Sequence, residues 1–253
     1  MERTTIMATA NTKRTPTKNR GDTVIDIHSH FLPFVDDGSP DTTQSLAILR
    51  EAEGFGVTDV FLTPHYMPTR GYINSATANR IVFDQFVKDV AQQGVRIKLH
   101  LGTEIYYTPD TVKLLRDQTV IPLGNSRSVL IEFNAAEEDE DIVEAIHNMK
   151  ALGFKPIIAH AERYEYIGKI ENFRLMKKMG AFIQINAGSV LGKSGSAIQK
   201  FVFKLIKEKL VDFVASDMHV FRINYLAEAF KFVEKKFDTA TAIAIFHNPV
   251  LLK

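Results

Sequence analysis

The feature that most constrains this chain is a regular alternation. From Thr23 onward, seven short apolar runs rich in β-branched residues stand in a row: Val24–Ile27, Val60–Leu62, Val95–Leu101, Val129–Phe133, Pro156–Ala159, Phe182–Ile185 and Phe213–Ala215. Between them lie segments with helical period. Asp41-Thr-Thr-Gln44 has the form of a capping box and opens a helix carrying Leu46, Leu49, Ala52 and Phe55. Ile198, Phe201, Val202, Leu205, Ile206 and Leu210 follow the i, i+3, i+4, i+7 rule of a helix that packs one face. Segments near 74–93, 109–118, 138–152, 170–179 and 222–236 supply the other helices. Strands alternating with helices predict an α/β fold. Seven consecutive units with no second composition regime predict a single (β/α)7 TIM-like barrel over residues 22–253.

The first 21 residues differ. Met1 to Gly21 holds five basic residues and a single acid, Glu2, and lacks the apolar stretch of a secretory signal. It is expected to be a disordered basic tail or a cloning remnant, and no function is assigned to it. The whole chain carries 31 Lys+Arg against 30 Asp+Glu. That balance offers no basic footprint, so no nucleic-acid partner is expected. No apolar run approaches the roughly 18 to 20 residues that cross a bilayer, so no membrane insertion is expected. The absence of cysteine excludes disulfides, thiolate metal sites and a cysteine nucleophile.

In β/α barrels the active site is assembled at and just beyond the C-terminal ends of the strands. Here those positions are chemically dense. The first run ends in His28-Ser29-His30 and is followed by Asp36-Asp37-Gly38; the second ends in Thr63-Pro64-His65 and the third in Gly102-Thr103-Glu104. The fourth ends in Glu132-Phe133-Asn134, the fifth in His160-Ala161-Glu162-Arg163, the sixth in Asn186-Ala187-Gly188 and the seventh in Ser216-Asp217-Met218-His219. Five of the eight histidines therefore fall at strand ends, together with Glu104, Glu132 and Asp217.

His28 and His30 are two apart, so on a strand both side chains leave the same face and can grip one ion. Five histidines and four acids exceed the three or so protein ligands of one catalytic zinc. The surplus predicts two or three divalent metals close together. Such clusters supply hydroxide at neutral pH and clamp the oxygens of a phosphoryl transfer. Arg163, three residues after His160, is placed to bind an anionic substrate through its planar fork. Ordinary structural readings compete for individual residues. A lone His-x-His is weak, and His65 or His160 taken singly also reads, with less weight, as a loop hydrogen-bond partner. Helix capping is the alternative for Asp36 and Glu162. Asp26 reads as an acid that orients an imidazole, and His100, His147 and His247 read as structural.

The run Ile25-Asp-Ile-His-Ser-His30 with Asp36-Asp37-Gly38 resembles the PHP (polymerase and histidinol phosphatase) superfamily. More narrowly, it is similar to the bacterial manganese-dependent protein-tyrosine phosphatases of the CpsB/CapC type. Thr63-Pro64-His65, Gly102-Thr-Glu-Ile-Tyr-Tyr107, His160-Ala-Glu-Arg-Tyr164, Gln184-Ile-Asn-Ala-Gly188 and Ser216-Asp-Met-His219 extend the match over residues 24–222 in family order. The resemblance implies a distorted (β/α)7 barrel of the PHP fold, in a cytoplasmic enzyme. It also implies two or three metal ions, usually manganese, sometimes iron, zinc or cobalt. In that pattern His28, His30, Glu104 and Asp217 share one metal, and Glu104 bridges to a metal shared with Asp37 and His65. Glu132, His160 and His219 complete the coordination. Asp217 and His219 also enter the catalytic set, with His219 a candidate proton donor. Arg163 matches the family's phosphate-binding arginine. A second arginine follows the Asp-x-His motif in the family, and Arg222 is its nearest candidate, slightly early and without the following proline; Arg70, after the His65 loop, is the residue that could compensate. The implied substrate is the phosphorylated tyrosine-rich tail of a bacterial tyrosine kinase that controls capsule or exopolysaccharide assembly. Tyr66, Tyr72, Tyr106 and Tyr107 are candidates for stacking on the phosphotyrosine ring.

Three rival readings share parts of this pattern. A small-molecule phosphatase or phosphodiesterase of the same superfamily, acting for instance on histidinol phosphate, would use the same ligands. An amidohydrolase also begins with His-x-His, but many carry a carboxylated lysine at strand four, where this chain has Glu132. The third is a catalytically silent metal-binding module that docks on a kinase.

Overall fold

Parallel strands closed by helices on the outside follow from the alternation, and the computed structural model shows where the pattern breaks. It describes residues 24–136 and 141–247; the basic tail lies outside them. In chain order the described elements begin with β1 (Val24–Ser29), α1 (Thr42–Gly54), β2 (Val57–Leu62), β3 (His65–Tyr66), α2 (Ala76–Gln92), β4 (Lys98–Leu101), β5 (Glu104–Tyr106), α3 (Thr111–Arg116) and β6 (Ser128–Glu132). They continue with α4 (Ile142–Ala151), β7 (Lys155–Ile158), α5 (Ile170–Lys178), β8 (Phe182–Asn186), α6 (Ala187–Val190), α7 (Ser196–Lys207), β9 (Phe213–Ala215), α8 (Leu226–Lys236) and α9 (Thr239–Phe246).

Seven strand positions are present, but two are split. The second divides into β2 and β3 at Thr63-Pro64, where proline has no N–H to give to a ladder. The third divides into β4 and β5 at Gly102-Thr103. There Leu123 crowds the backbone so closely that a Cβ on Gly102 would lie 2.5 Å from its Cδ2. The pieces fall into two parallel sheets, β1-β2-β4 and β3-β5-β6-β7-β8-β9. The circle closes between β1 and the turn after β9, where His30 N–H donates to Met218 O (2.7 Å) and Asp217 N–H donates to His28 O (3.0 Å). This is the distorted seven-position barrel that the sequence predicts. The splits and the closure all occur at strand ends that carry functional side chains.

Ile25, Ile27, Phe61, Leu130, Ile157, Ala159, Phe213 and Ala215 pack together with Leu123 in one buried cluster, so the barrel interior is a filled core and not a pore. A second, larger core holds the helices against the outer face, with Leu46, Leu49 and Ala52 of α1 and Phe83, Phe86 and Val90 of α2 among its members. Asp41 caps α1 as its sequence predicts, accepting from Gln44 N–H at 2.9 Å while Gln44 Nε2 donates back at 2.8 Å. Differences from the periodicity are local. Leu210 falls beyond α7, because Lys209 takes a left-handed φ of 57°. The strand predicted from Val95 starts at Lys98. The short α6 and the apolar α9 carry too little helical period to be seen in the sequence. Among the described residues no helix is long and apolar enough to cross a membrane.

Candidate metal centre and adjoining anion pocket

The strand ends converge on one buried carboxylate. Glu104, first residue of β5, places Oε2 at 3.1 Å from His28 Nε2, 3.0 Å from His30 Nε2 and 3.2 Å from His65 Nε2. Its Oε1 lies 3.1 Å from His160 Nε2, which is also 3.3 Å from Glu132 Oε1. His30 stacks against both His65 and His219, with ring centroids at 4.0 and 4.4 Å. Asp37 Oδ1 reaches His65 Nδ1 (3.3 Å) and His219 Nε2 (3.6 Å). Asp217 Oδ1 lies 3.7 Å from both His28 Nε2 and His30 Nε2. All nine residues predicted as metal ligands therefore meet in one place. The grouping differs from the implied pattern, since Glu104 falls with His65 and Glu132 and apart from both Asp217 and Asp37. His219 keeps company with His30, Asp37 and His65, whereas His160 sits with Glu104 and Glu132.

The donor set fits divalent cations. Ligand atoms of His30, Asp37, His65 and His219 lie within 4.8 Å of one another, and the same holds for His28, His30 and Asp217 and for His65, Glu104 and Glu132. Two imidazole Nε2 atoms, of His28 and His30, lie 2.8 Å apart and face the same carboxylate oxygen. Buried Glu132 Oε2 and His160 Nδ1 have no hydrogen-bond partner among the described residues. Buried polar atoms without a partner ask for an ion or a water, and imidazoles mixed with carboxylates suit first-row metals.

Backbone strain accompanies the cluster. Asp36, His160 and Asp217 have φ of 45°, 32° and 50°, a region that non-glycine residues occupy at a penalty and that recurs at functional sites. Asp36 does not cap a helix. Its carboxylate accepts from His65 N–H at 2.5 Å and contacts His65 Nδ1 at 3.1 Å, so it fixes the backbone and ring of a strand-end histidine. Those histidine contacts outweigh burial and hold Asp36 below the usual carboxylate range. Burial pushes Glu162 up; its carboxylate accepts from Asn186 N–H (3.0 Å) and likewise caps no helix of its own.

Asp26 does not orient an imidazole. It accepts from Ser216 N–H at 2.9 Å and so ties β1 to the turn after β9. The residue that orients imidazole is Gln184, to which the sequence assigned no role. Gln184 Oε1 lies 3.0 Å from His28 Nδ1 and accepts from His160 N–H at 2.9 Å. An amide oxygen can only accept, so it holds the proton on His28 Nδ1 and leaves Nε2 free toward the cluster. Gln184 Nε2 then donates to Asn186 Oδ1 (2.9 Å), and Asn186 Nδ2 donates to Asp217 Oδ2 (2.8 Å). Residues two apart on β8 share a face, which is the signal that could have found this relay. Gln184→Leu is expected to lower metal affinity about 10- to 100-fold with the fold retained; an unchanged titration isotherm would count against the relay.

Beside the cluster, a cavity of about 470 Å³ is lined by Arg163 and Arg222 together with Ser189, Ser194, Asp217 and Tyr225. Arg222 Nη1 donates to Asp217 Oδ2 (2.8 Å) and to Asp217 O (2.9 Å), and Arg163 Nη1 lies 3.8 Å from the same Oδ2. Arg222 therefore reaches the pocket despite lacking the following proline. Arg70 does not: it sits exposed on the turn Pro68–Arg70, and its side chain makes no contact with the cluster or the cavity among the described residues. His219 is pulled down to about 4, first by burial and then by the neighbouring His30. A neutral imidazole suits a metal ligand. His100 pairs with Asp59 (2.8 Å) away from the cluster, His147 is exposed, and His247 stacks on Phe230.

The chain matches the family described as "Capsular polysaccharide synthesis, CpsB/CapC" over residues 24–252. It is 32% identical over 234 residues to the tyrosine-protein phosphatase CpsB of Streptococcus agalactiae serotype V, covering 88% of this chain and 95% of that one. It is 30% identical over 234 residues to the tyrosine-protein phosphatase YwqE of Bacillus subtilis, covering 90% and 91%. A crystal structure from work on YwqE of Bacillus subtilis and CpsB of Streptococcus pneumoniae, described as metal-dependent tyrosine phosphatases, superposes with a TM-score of 0.84. It shares 28% identity and covers 90% of this chain and 94% of that one. A phosphotriesterase homology protein from Escherichia coli, at 12% identity and a TM-score of 0.58 over 94% and 99% of the two chains, is alike in fold alone. On its sequence, its fold and the extent of these matches, the chain belongs to the CpsB/CapC family.

Proposed function

We propose that this chain is a metal-dependent protein-tyrosine phosphatase. In this reading it acts in the cytoplasm on the phosphorylated tail of a bacterial tyrosine kinase that controls capsule or exopolysaccharide synthesis. Residues 22–253 form its single domain. The observation that carries the reading is the position of Asp217. One of its carboxylate oxygens faces the imidazoles, and the other faces Arg222, Asn186 and Arg163 in the anion pocket. A cluster of metal-ligand side chains and a pocket for an anion thus share one side chain, an arrangement that suits hydrolysis of a phosphate monoester.

In this reading two or three divalent ions, manganese first among them, are held by His28, His30, Asp37, His65, Glu104, Glu132, His160, Asp217 and His219. When bound they supply Lewis-acid charge and lower the pKa of water. The protein's own residues do the rest. Arg163 and Arg222 bind and orient the phosphoryl group, neutralising charge on its oxygens. Asn186 and Arg222 hold Asp217 Oδ2 so that Oδ1 keeps facing His28 and His30. Gln184 keeps His28 in one tautomer. A phenolate leaves with a parent pKa of about 10 and needs less protonation than an alkoxide.

The test is phosphate release by the purified chain with Mn²⁺ added, from a phosphotyrosine peptide and from histidinol phosphate in parallel. The peptide is expected to turn over. Turnover of the small ester with none of the peptide would replace this reading by that of a small-molecule phosphatase.

A further inference from the structure

None of the four tyrosines expected to meet a substrate ring lines the cavity. Tyr107 is buried against Phe133, and Tyr72 stacks on His65. The aromatic lining comes from elsewhere, the segment between β9 and α8, as Phe221 and Tyr225. Phe221 is 70% exposed. Its ring centroid lies 5.2 Å from that of His219, and the Arg222 guanidinium carbon lies 5.6 Å from the ring centre. Tyr225 is held from the other flanking element. Its Cδ2 is 3.7 Å from where a Cβ on Gly188 would sit, and Lys193 Nζ lies 5.0 Å over its ring. One cavity therefore presents two guanidinium groups close to Asp217 and two aromatic rings on its walls.

We propose that Phe221 and Tyr225 form an aryl-binding wall that makes this pocket select aryl phosphate monoesters over alkyl ones, an inference that rests on the phosphatase reading above. The charged end is blind to what the phosphate is attached to. Arg163 and Arg222 offer the same donors to any monoester. Discrimination in binding must come from the part of the cavity that meets the esterified group. A substrate ring there covers apolar surface that Phe221 otherwise leaves in water, and offset or edge contacts with the two rings add to that gain. An alkyl chain covers less of the wall and makes no ring contact. Ile223, 66% exposed on the same lining, extends the apolar side outward.

Binding of phenylphosphonate and of methylphosphonate to the full chain with Mn²⁺ added separates the wall from the charged end. Both probes carry the same phosphonate and neither is hydrolysed. Wild-type protein is expected to prefer the aryl probe by about tenfold, and Phe221→Ala and Tyr225→Leu should each bring that ratio toward one. The ratio is the readout because a displaced Arg222 would weaken both probes together and leave it unchanged. A wild-type ratio near one, or a ratio that neither substitution moves, overturns the proposal. Phe221 is exposed, so its removal leaves the fold intact, and Phe221→Ala decides alone if Tyr225→Leu does not fold. A wild-type chain that releases no phosphate from a phosphotyrosine peptide would sink the phosphatase reading, whereas the binding ratio still decides whether the wall exists.

Discussion

Glu104→Gln is expected to lower turnover of a phosphotyrosine peptide by about three orders of magnitude and to weaken divalent-metal binding steeply, with the fold retained. The substitution keeps size, shape and one acceptor oxygen, so what it removes is charge. That charge sits at the centre of the site. Glu104 is almost fully buried and lies within 3.2 Å of Nε2 of His28, His30, His65 and His160. Burial works against its ionisation, but the imidazoles of His28, His160 and His30 overcome it and hold the carboxyl well below its ordinary range. A carboxylate in that setting is the counter-charge for any cation bound between the histidines. Losing several kcal/mol of charge stabilisation in a water-poor site corresponds to about a thousandfold in rate. Activity within tenfold of wild type would remove Glu104 from the centre of the site. Circular dichroism and a titration with Mn²⁺ separate loss of metal from loss of fold.

Much of this centre was legible in the sequence because barrels deliver function to a predictable place. Once the apolar runs were read as strands, the histidines and acids at their ends were candidates by position alone, and the structure brings all nine together. The sequence was less informative about connections across the barrel. Gln184 and Asn186 have no charge and bind no metal in the expected pattern, so apart from their shared strand face little local distinguishes them from ordinary strand residues. Their importance comes from β8 lying between β7 and β9, next to His160 on one side and Asp217 on the other. Asp36 was ambiguous for a similar reason. Its partner, His65, is 29 residues away, and only the fold shows that it serves that histidine instead of a helix end. The positive φ angles at Asp36, His160 and Asp217 left only a weak trace, since aspartate and histidine are enriched in that region but take it in a small minority of positions. Arg70 illustrates the opposite error. It follows His65 by five positions, but the turn at Pro68–Arg70 carries it into solvent.

Removing the cations is expected to give the second large effect, one that changes sign with the species measured. In the metal-free chain, burial opposes protonation of three histidines, and neighbouring carboxylates overcome it. Hydrogen bonds to Asp36 and Glu104 bring His30 up to about 9 against the added repulsion of His65. Contacts with Glu104 and Glu132 bring His160 to about 10, and Asp36 and Asp37 bring His65 to about 11. An unfolded histidine titrates near 6.5, so between that value and these the folded chain binds more protons than the unfolded one. Stability from this source is complete below about pH 6.5 and is lost as pH rises through 9 to 11. The melting temperature of chelator-treated protein is therefore expected to fall by on the order of 5 °C between pH 7 and pH 10. Metal binding runs the other way, because an imidazole must shed its proton before it can ligate. Affinity for Mn²⁺ is expected to rise over the same interval, and binding at pH 7 to release up to about three protons, one for each raised histidine. Calorimetric titrations in buffers of different ionisation enthalpy count those protons directly. A metal-free chain that grows more stable toward pH 10, or metal binding without proton release, would mean that the histidines and carboxylates are not coupled in solution as their distances imply. Both outcomes are independent of turnover, so they examine the centre even where a substrate has yet to be found.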